Sequence, residues 1–162
     1  MYGAALILHS LTRWVVLALL ALALFRALTG RDAPWSAADE AARRWLPHAM
    51  TLQLLLGLAF WFGLSPLVSL ARADMGAAMR DATLRALTVE HFASMFIAVT
   101  LVHVGGARAR KADTPAAKRK AMLIFFGIAA VLVLWAIPWG SRPLFRVSPS
   151  SGVPTAIGAA QS

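Results

Sequence analysis

Residues 121–139 read AMLIFFGIAAVLVLWAIPW, nineteen positions without a charged side chain. A bilayer's hydrocarbon core is about 30 Å thick, and a helix needs about 20 apolar residues to cross it. This stretch suits that task. Three more runs share its character. Ala4 to Leu28 is interrupted only by Arg13 and Arg26. Leu46 to Leu64 follows, and then Leu84 to Gly106, with Arg85 and Glu90 near its start. In hydrocarbon only helices and closed barrels satisfy the backbone. These runs are too long, too rich in Leu and Ala and too poorly alternating for barrel strands. The sequence therefore predicts an all-α integral membrane protein. Its architecture is an antiparallel four-helix bundle with short connections over residues 1–140, followed by a flexible tail over 141–162.

Composition agrees. The 162 residues are 59% hydrophobic and only 14% charged, with mean hydropathy +0.68. A soluble domain is roughly 45–50% apolar and about 25% charged. A disordered chain, a soluble enzyme and a disulfide scaffold are all poor fits. The chain has no Cys. That excludes disulfides, thiolate metal sites, iron–sulfur clusters and covalent c-type haem.

Sixteen basic residues against seven acidic ones give a net charge of +9. Their placement orients the bundle. The first connection carries Arg26, Arg31, Arg43 and Arg44, and the third carries Arg108, Arg110, Lys111, Lys118, Arg119 and Lys120. The other side has Arg72, Arg80, Arg85, Arg142 and Arg146. The positive-inside rule then puts connections one and three in the cytoplasm and both termini in the periplasm of a bacterial cytoplasmic (inner) membrane. The charge reads as an orientation signal and a seat for anionic headgroups, not as a nucleic-acid surface.

Smaller signals fill in the connections. Ala21-Leu22-Ala23 looks like a signal-peptide cleavage site, but no basic residue precedes the apolar run and Arg13 falls within it, so the first run reads as a permanent span. Ser36 followed by Asp39 and Glu40 reads as the cap of a short cytoplasmic helix. Ser65-Pro66 ends span two, and Met75 to Glu90 reads as helix at the outer interface. Pro138 closes span four. The tail has too little apolar surface to order itself, unless a partner subunit orders it.

All four histidines fall within the spans. Ionisable groups at that depth are costly and point to function. Alternating helix directions sort them into two pairs, His9 with His91 on the outer side and His48 with His103 on the inner side. His91 and His103 are twelve residues apart, which is about 18 Å of rise and about 120° of net rotation. One can face span one while the other faces span two. That spacing suits two b-type haems stacked across the membrane, each between imidazoles of two helices. Arg13 lies one turn from His9, and Glu90 adjoins His91. An Arg and a Glu in one leaflet are expected to pair with each other or with a ligand such as a haem propionate or a quinone carbonyl. Gln53 reads as a hydrogen-bonding group across helices, or else as a group that approaches a quinone. The bland alternative for every His is a satisfied structural contact, and it weighs most for His48 and His103, near the interface.

Several stretches together resemble a family. They are His9-Ser-Leu-Thr-Arg-Trp14, Leu52-Gln-Leu-Leu-Leu-Gly-Leu58, Ser65-Pro-Leu-Val68, Met75-Gly-Ala-Ala-Met-Arg-Asp81, Leu84-Arg85, Val89-Glu-His91 and Ala136-Ile-Pro-Trp139. They resemble a group of small bacterial four-span membrane proteins labelled cytochrome b-like. The resemblance covers most of residues 1–140. It implies His9, Arg13, Glu90 and His91 as the polar motif, and it supports the inner pair less.

Two functional readings follow. One is a membrane electron-transfer protein that binds haem b through His9 and His91, with a weaker second site at His48 and His103, and exchanges electrons with a quinone or a neighbouring redox subunit. The other is a cofactor-free accessory subunit of a respiratory or photosynthetic complex. Neither makes the chain an enzyme by itself.

Overall fold

The computed structural model describes residues 2–30, 33–137 and 139. The expectations for Pro138 and for the tail lie outside these residues. Six helices follow one another. Helix α1 is Tyr2–Thr29. Helix α2 is Ala37–Ala59, continued by a π-helical turn at Phe60–Leu64. Two short helices, α3 (Pro66–Ala73) and α4 (Met75–Arg80), make the second connection. Helix α5 runs Ala82–Arg85, then a π-helical turn Ala86–Glu90, then His91–Lys111. Helix α6 is Pro115–Ala136. No described residue is in a strand.

Four of the helices, α1, α2 with its π-turn, α5 and α6, are long and apolar enough to cross a membrane. Each packs on two neighbours: α1 on α2, α2 on α5, α5 on α6 and α6 on α1. The result is a closed up-and-down ring, as expected of short connections.

Helix ends follow local chemistry. Ser36 caps α2 in a capping box with Asp39, each side chain taking the other's backbone N–H. Ser65, Asp74, Asp81 and Thr114 each accept a first-turn N–H in the same way. Pro66 and Pro115 sit in first turns, where no N–H is needed.

One expectation needs correction. The capped helix at Ser36 is no separate cytoplasmic piece. It runs unbroken through Pro47 into span two. Proline removes the N–H that would bond the Arg43 carbonyl. That carbonyl faces Gly106 of α5, whose missing Cβ would stand 3.5 Å from it. The close approach shelters the proline site within the bundle. Spans three and four also run further at the basic end than hydropathy suggests, to Lys111 and from Pro115. Helix geometry there is held by caps, not by lipid.

Lipid tails are as apolar as Leu, so helices in a bilayer associate through packing and hydrogen bonds. The interior accordingly holds small residues. Ala23, Ala27, Ala42, Ala98, Ala109 and Ala129 are buried beside Leu46, Val102, Met122 and Phe126. Large apolar side chains such as Leu11, Val15, Phe25, Leu55, Phe96 and Val131 point outward. Gly105 sets the tight crossing of α5 on α6. A Cβ on Gly105 would lie 2.5 Å from Phe125 Cβ and 3.1 Å from the Phe126 ring. On Gly106 it would meet only ordinary contacts with α2.

The basic end is locked by one carboxylate. Asp39, 1% exposed, accepts from Arg26 Nε at 3.0 Å and from Arg119 Nη2 at 2.8 Å. Arg119, 2% exposed, also donates to the carbonyls of Ala33 and Pro34 at 2.6 and 2.9 Å. Three helices and the first connection thus meet at Asp39.

Two outcomes are expected in detergent melts. Gly105→Ala lowers stability by about 1–3 kcal/mol, as overpacking does, while Gly106→Ala stays within about 1 kcal/mol of wild type. Asp39→Ala strands a buried guanidinium and costs about 3–5 kcal/mol. Arg26→Ala costs clearly less, because Arg119 still pairs with the carboxylate.

Candidate functional site

The half of the bundle away from the basic connections holds a cavity of about 180 Å³. Its walls are mostly apolar, with Tyr2, Phe60, Trp61, Leu87, Phe92 and Met95 among them. Its polar lining is His9, Ser10, Arg13, Gln53, Ser65 and His91. A mostly apolar pocket with a few convergent polar groups is the usual form of a ligand site.

Helical spacing builds it. His9 and Arg13 share a face of α1, Gln53 and Gly57 share a face of α2, and His91, Met95 and Val99 share a face of α5, each set at intervals of four. Gly57 leaves a notch, since a Cβ there would meet only His9 Cε1, at 3.8 Å. The two π-helical turns stand at this same end. Phe60 and Trp61 open the first, and His91 directly follows the second. A π-turn inserts an extra residue, and such turns recur at functional sites. The turns are joined by Trp61 Nε1, which donates to the Thr88 carbonyl at 3.0 Å. Arg72 of α3 covers the first one. Its Nη1 donates to the Trp61 carbonyl at 3.1 Å, and its guanidinium lies 4.6 Å from the Trp61 ring centre.

The outer imidazoles pack edge-on against each other. Their ring centres are 6.5 Å apart and their planes are inclined by 62°. His91 Nδ1 donates to the Ala136 carbonyl at 2.9 Å. A carbonyl only accepts, so in the neutral ring the lone pair sits on Nε2. His9 Nδ1 is buried with no hydrogen-bond partner. Phe60 packs edge-on against His9, ring centres 5.6 Å apart.

Arg13 and Glu90 do not pair with each other. Glu90 accepts from Arg85 Nε at 2.8 Å, a half-exposed ion pair on its own helix. Arg13 Nη2 donates to Ser10 Oγ at 3.3 Å and its guanidinium lies 5.6 Å from the Trp14 ring centre. Arg13 lines the cavity and Glu90 does not. Gln53 bonds across helices as expected, donating to the His9 carbonyl at 3.0 Å, and its Oε1 takes the Thr12 hydroxyl.

The inner histidines are arranged differently. Both are exposed on the bundle surface. His48 packs edge-on against Trp45 with ring centres 6.0 Å apart. His103 Nε2 shares a 2.8 Å hydrogen bond with Thr51 Oγ1. The Thr51 hydroxyl donates to the Pro47 carbonyl at 2.9 Å, so it accepts from His103.

Comparison with known proteins finds no matching family model, no matching curated protein and no matching solved structure. Among the described residues, no three His, Asp or Glu side chains gather around a point that would hold a bare metal ion. A haem asks for two imidazoles only.

Sequence reading missed the cavity's apolar wall, above all Phe60, Trp61 and Leu87. It also missed Arg72 as the latch over the first π-turn. The signal for Arg72 was present, as a lone cation one short helix after a Trp-Phe pair. Arg72→Ala frees the Trp61 carbonyl, so amide exchange of residues 60–65 should rise several-fold by hydrogen–deuterium mass spectrometry. Glu90→Gln breaks only a half-exposed pair and should leave those amides and the melting temperature unchanged.

Proposed function

We infer that this protein is a membrane electron-transfer protein that holds one haem b between His9 of α1 and His91 of α5. The observation that carries this reading is the close imidazole pair from two helices at the cavity. A metal about 2 Å from each of two opposed ring nitrogens puts the ring centres about 6 Å apart, close to the 6.5 Å found. Metal-ligating histidines typically donate their other N–H to a carbonyl or carboxylate, as His91 does to Ala136. His9 supplies a buried nitrogen with no hydrogen-bond partner. The donor set therefore fits the group.

When bound, haem b supplies one-electron redox chemistry whose potential follows axial ligation, nearby charge and burial. The protein's own residues do the rest. His91 is oriented by the end of α6. His9 is backed by α2 at Gly57. Arg13 places a cation beside the imidazoles, where it favours a negative group such as a propionate. Phe60, Trp61 and Phe92 keep water away. The void is smaller than the roughly 300–1,000 Å³ of typical cofactor and drug sites, so binding displaces lining side chains, of which Phe60 packs on His9. The resemblance to small cytochrome b-like proteins supports the same reading, on the same residues. The excess of basic residues in the first and third connections supports a bacterial inner-membrane location with both termini periplasmic.

The size of the void favours a second reading. A quinone headgroup is smaller than a haem, and Arg13, His9 and the second amide N–H of Gln53 are suitable donors to its carbonyls.

Reduced-minus-oxidised visible spectra of protein purified in mild detergent decide between them. A b-type band near one haem per chain is expected, lost in His9→Ala and His91→Ala and kept in His48→Ala and His103→Ala. A colourless protein that retains an extractable quinone overturns the haem and supports the quinone. A colourless protein that retains neither overturns both.

A further inference from the structure

A second concavity lies at the opposite, basic end, where α5 leaves the bundle and α6 begins. It is an open groove of about 410 Å³. Arg108 and Lys111 enter it from the last turns of α5, and Lys120 from the second turn of α6. Among the described residues, no acidic one lines it. Asp113, in the turn between the helices, stands outside it. Among the described residues, none of the three cations is in an ion pair with a carboxylate. All three are exposed.

The groove has a defined shape. The Arg108 guanidinium lies over the Phe125 ring, 5.3 Å from its centre, which holds a planar donor fork at the groove wall. The start of α6 lies beside it, where the helix dipole favours negative charge. Ala121 keeps the floor shallow, and Ile124 and Phe125 make its lower side. From Lys120 an apolar stripe continues down the same face of α6. Ile124, Ile128 and Val131 follow at intervals of four, four and three, exposed by 47%, 50% and 68%.

A cationic seat that opens onto a lipid-facing apolar stripe matches one class of molecule. We propose that this groove binds an anionic glycerophospholipid. The phosphate sits among Arg108, Lys111 and Lys120, and an acyl chain lies along Ile124, Ile128 and Val131. Arg is suited to bidentate phosphate contact and Lys to point-charge contact. Basic pockets between membrane helices bind such headgroups. A free phosphate would use the cations but not the stripe. The inference is independent of the function proposed for the opposite end.

Native mass spectrometry of the full chain in mild detergent tests it, by titration with phosphatidylglycerol, phosphatidylcholine or inorganic phosphate. Phosphatidylglycerol should bind at least about tenfold more tightly than phosphatidylcholine, and equimolar inorganic phosphate should not displace it. Arg108→Gln with Lys120→Gln should lower the affinity about tenfold or more, the scale expected for losing two cations beside an anionic headgroup. The charge-matched pair Arg44→Gln with Arg110→Gln should change it less than twofold. Equal binding of the two lipids overturns the proposal, and so does displacement by inorganic phosphate. An equal loss in the charge-matched pair overturns it too, since a general surface potential would then explain the binding. The wild-type lipid preference reads out without any variant, so a variant that fails to fold leaves the test intact.

Discussion

Hydrocarbon gives a polypeptide no hydrogen-bond partner, and the polar groups inside this bundle are paired accordingly, with two exceptions among the described residues. The backbone closes its bonds within helices. Thr29, Thr51, Thr88 and Thr100 turn their hydroxyls back onto carbonyls of the preceding turn. Gln53 spends its amide on the His9 carbonyl of the next helix. Trp61 spends its indole N–H on Thr88. Among the described residues two buried side-chain polar atoms lack a hydrogen-bond partner, Arg119 Nε within the Asp39 lock and His9 Nδ1, and of these only His9 lines the cavity.

The two ends of the bundle answer the constraint in opposite ways. At the basic end, small residues and Gly105 draw the helices together and Asp39 ties three of them to the first connection. At the other end, two π-turns widen the helices, rings replace alanines, and the packing leaves a cavity. A tight, charge-locked base and a looser, aromatic upper half suit a scaffold that must keep one region adaptable.

The four spans were legible because hydropathy is a local property and a bilayer sets their length. The pairing of His9 with His91 was legible because helix direction alternates and both lie near one end. What escaped was whatever depends on which side faces which neighbour. Arg119 counts in sequence as one more rim charge, yet it is buried against Asp39, eighty positions away. Glu90 pairs with Arg85 on its own helix because the π-turn between them brings the two side chains together. Pro47 lies inside α2 rather than at its end, and the glycine opposite it belongs to another helix. His48 and His103 share a level, but their helices direct one to Trp45 and the other to Thr51.

The bond from His91 to Ala136 has a mechanical side. A helix ends with four carbonyls that lack intrahelical partners. In α6 two of these are met by side chains, Leu134 by Trp139 and Ala136 by His91. The imidazole at the cavity is therefore also the C-terminal cap of a neighbouring helix. If the ring turns, or its Nδ1 proton leaves, the last turn of α6 loses a partner and is free to fray. The cavity and the C-terminal turn of α6 are thus joined through one ring.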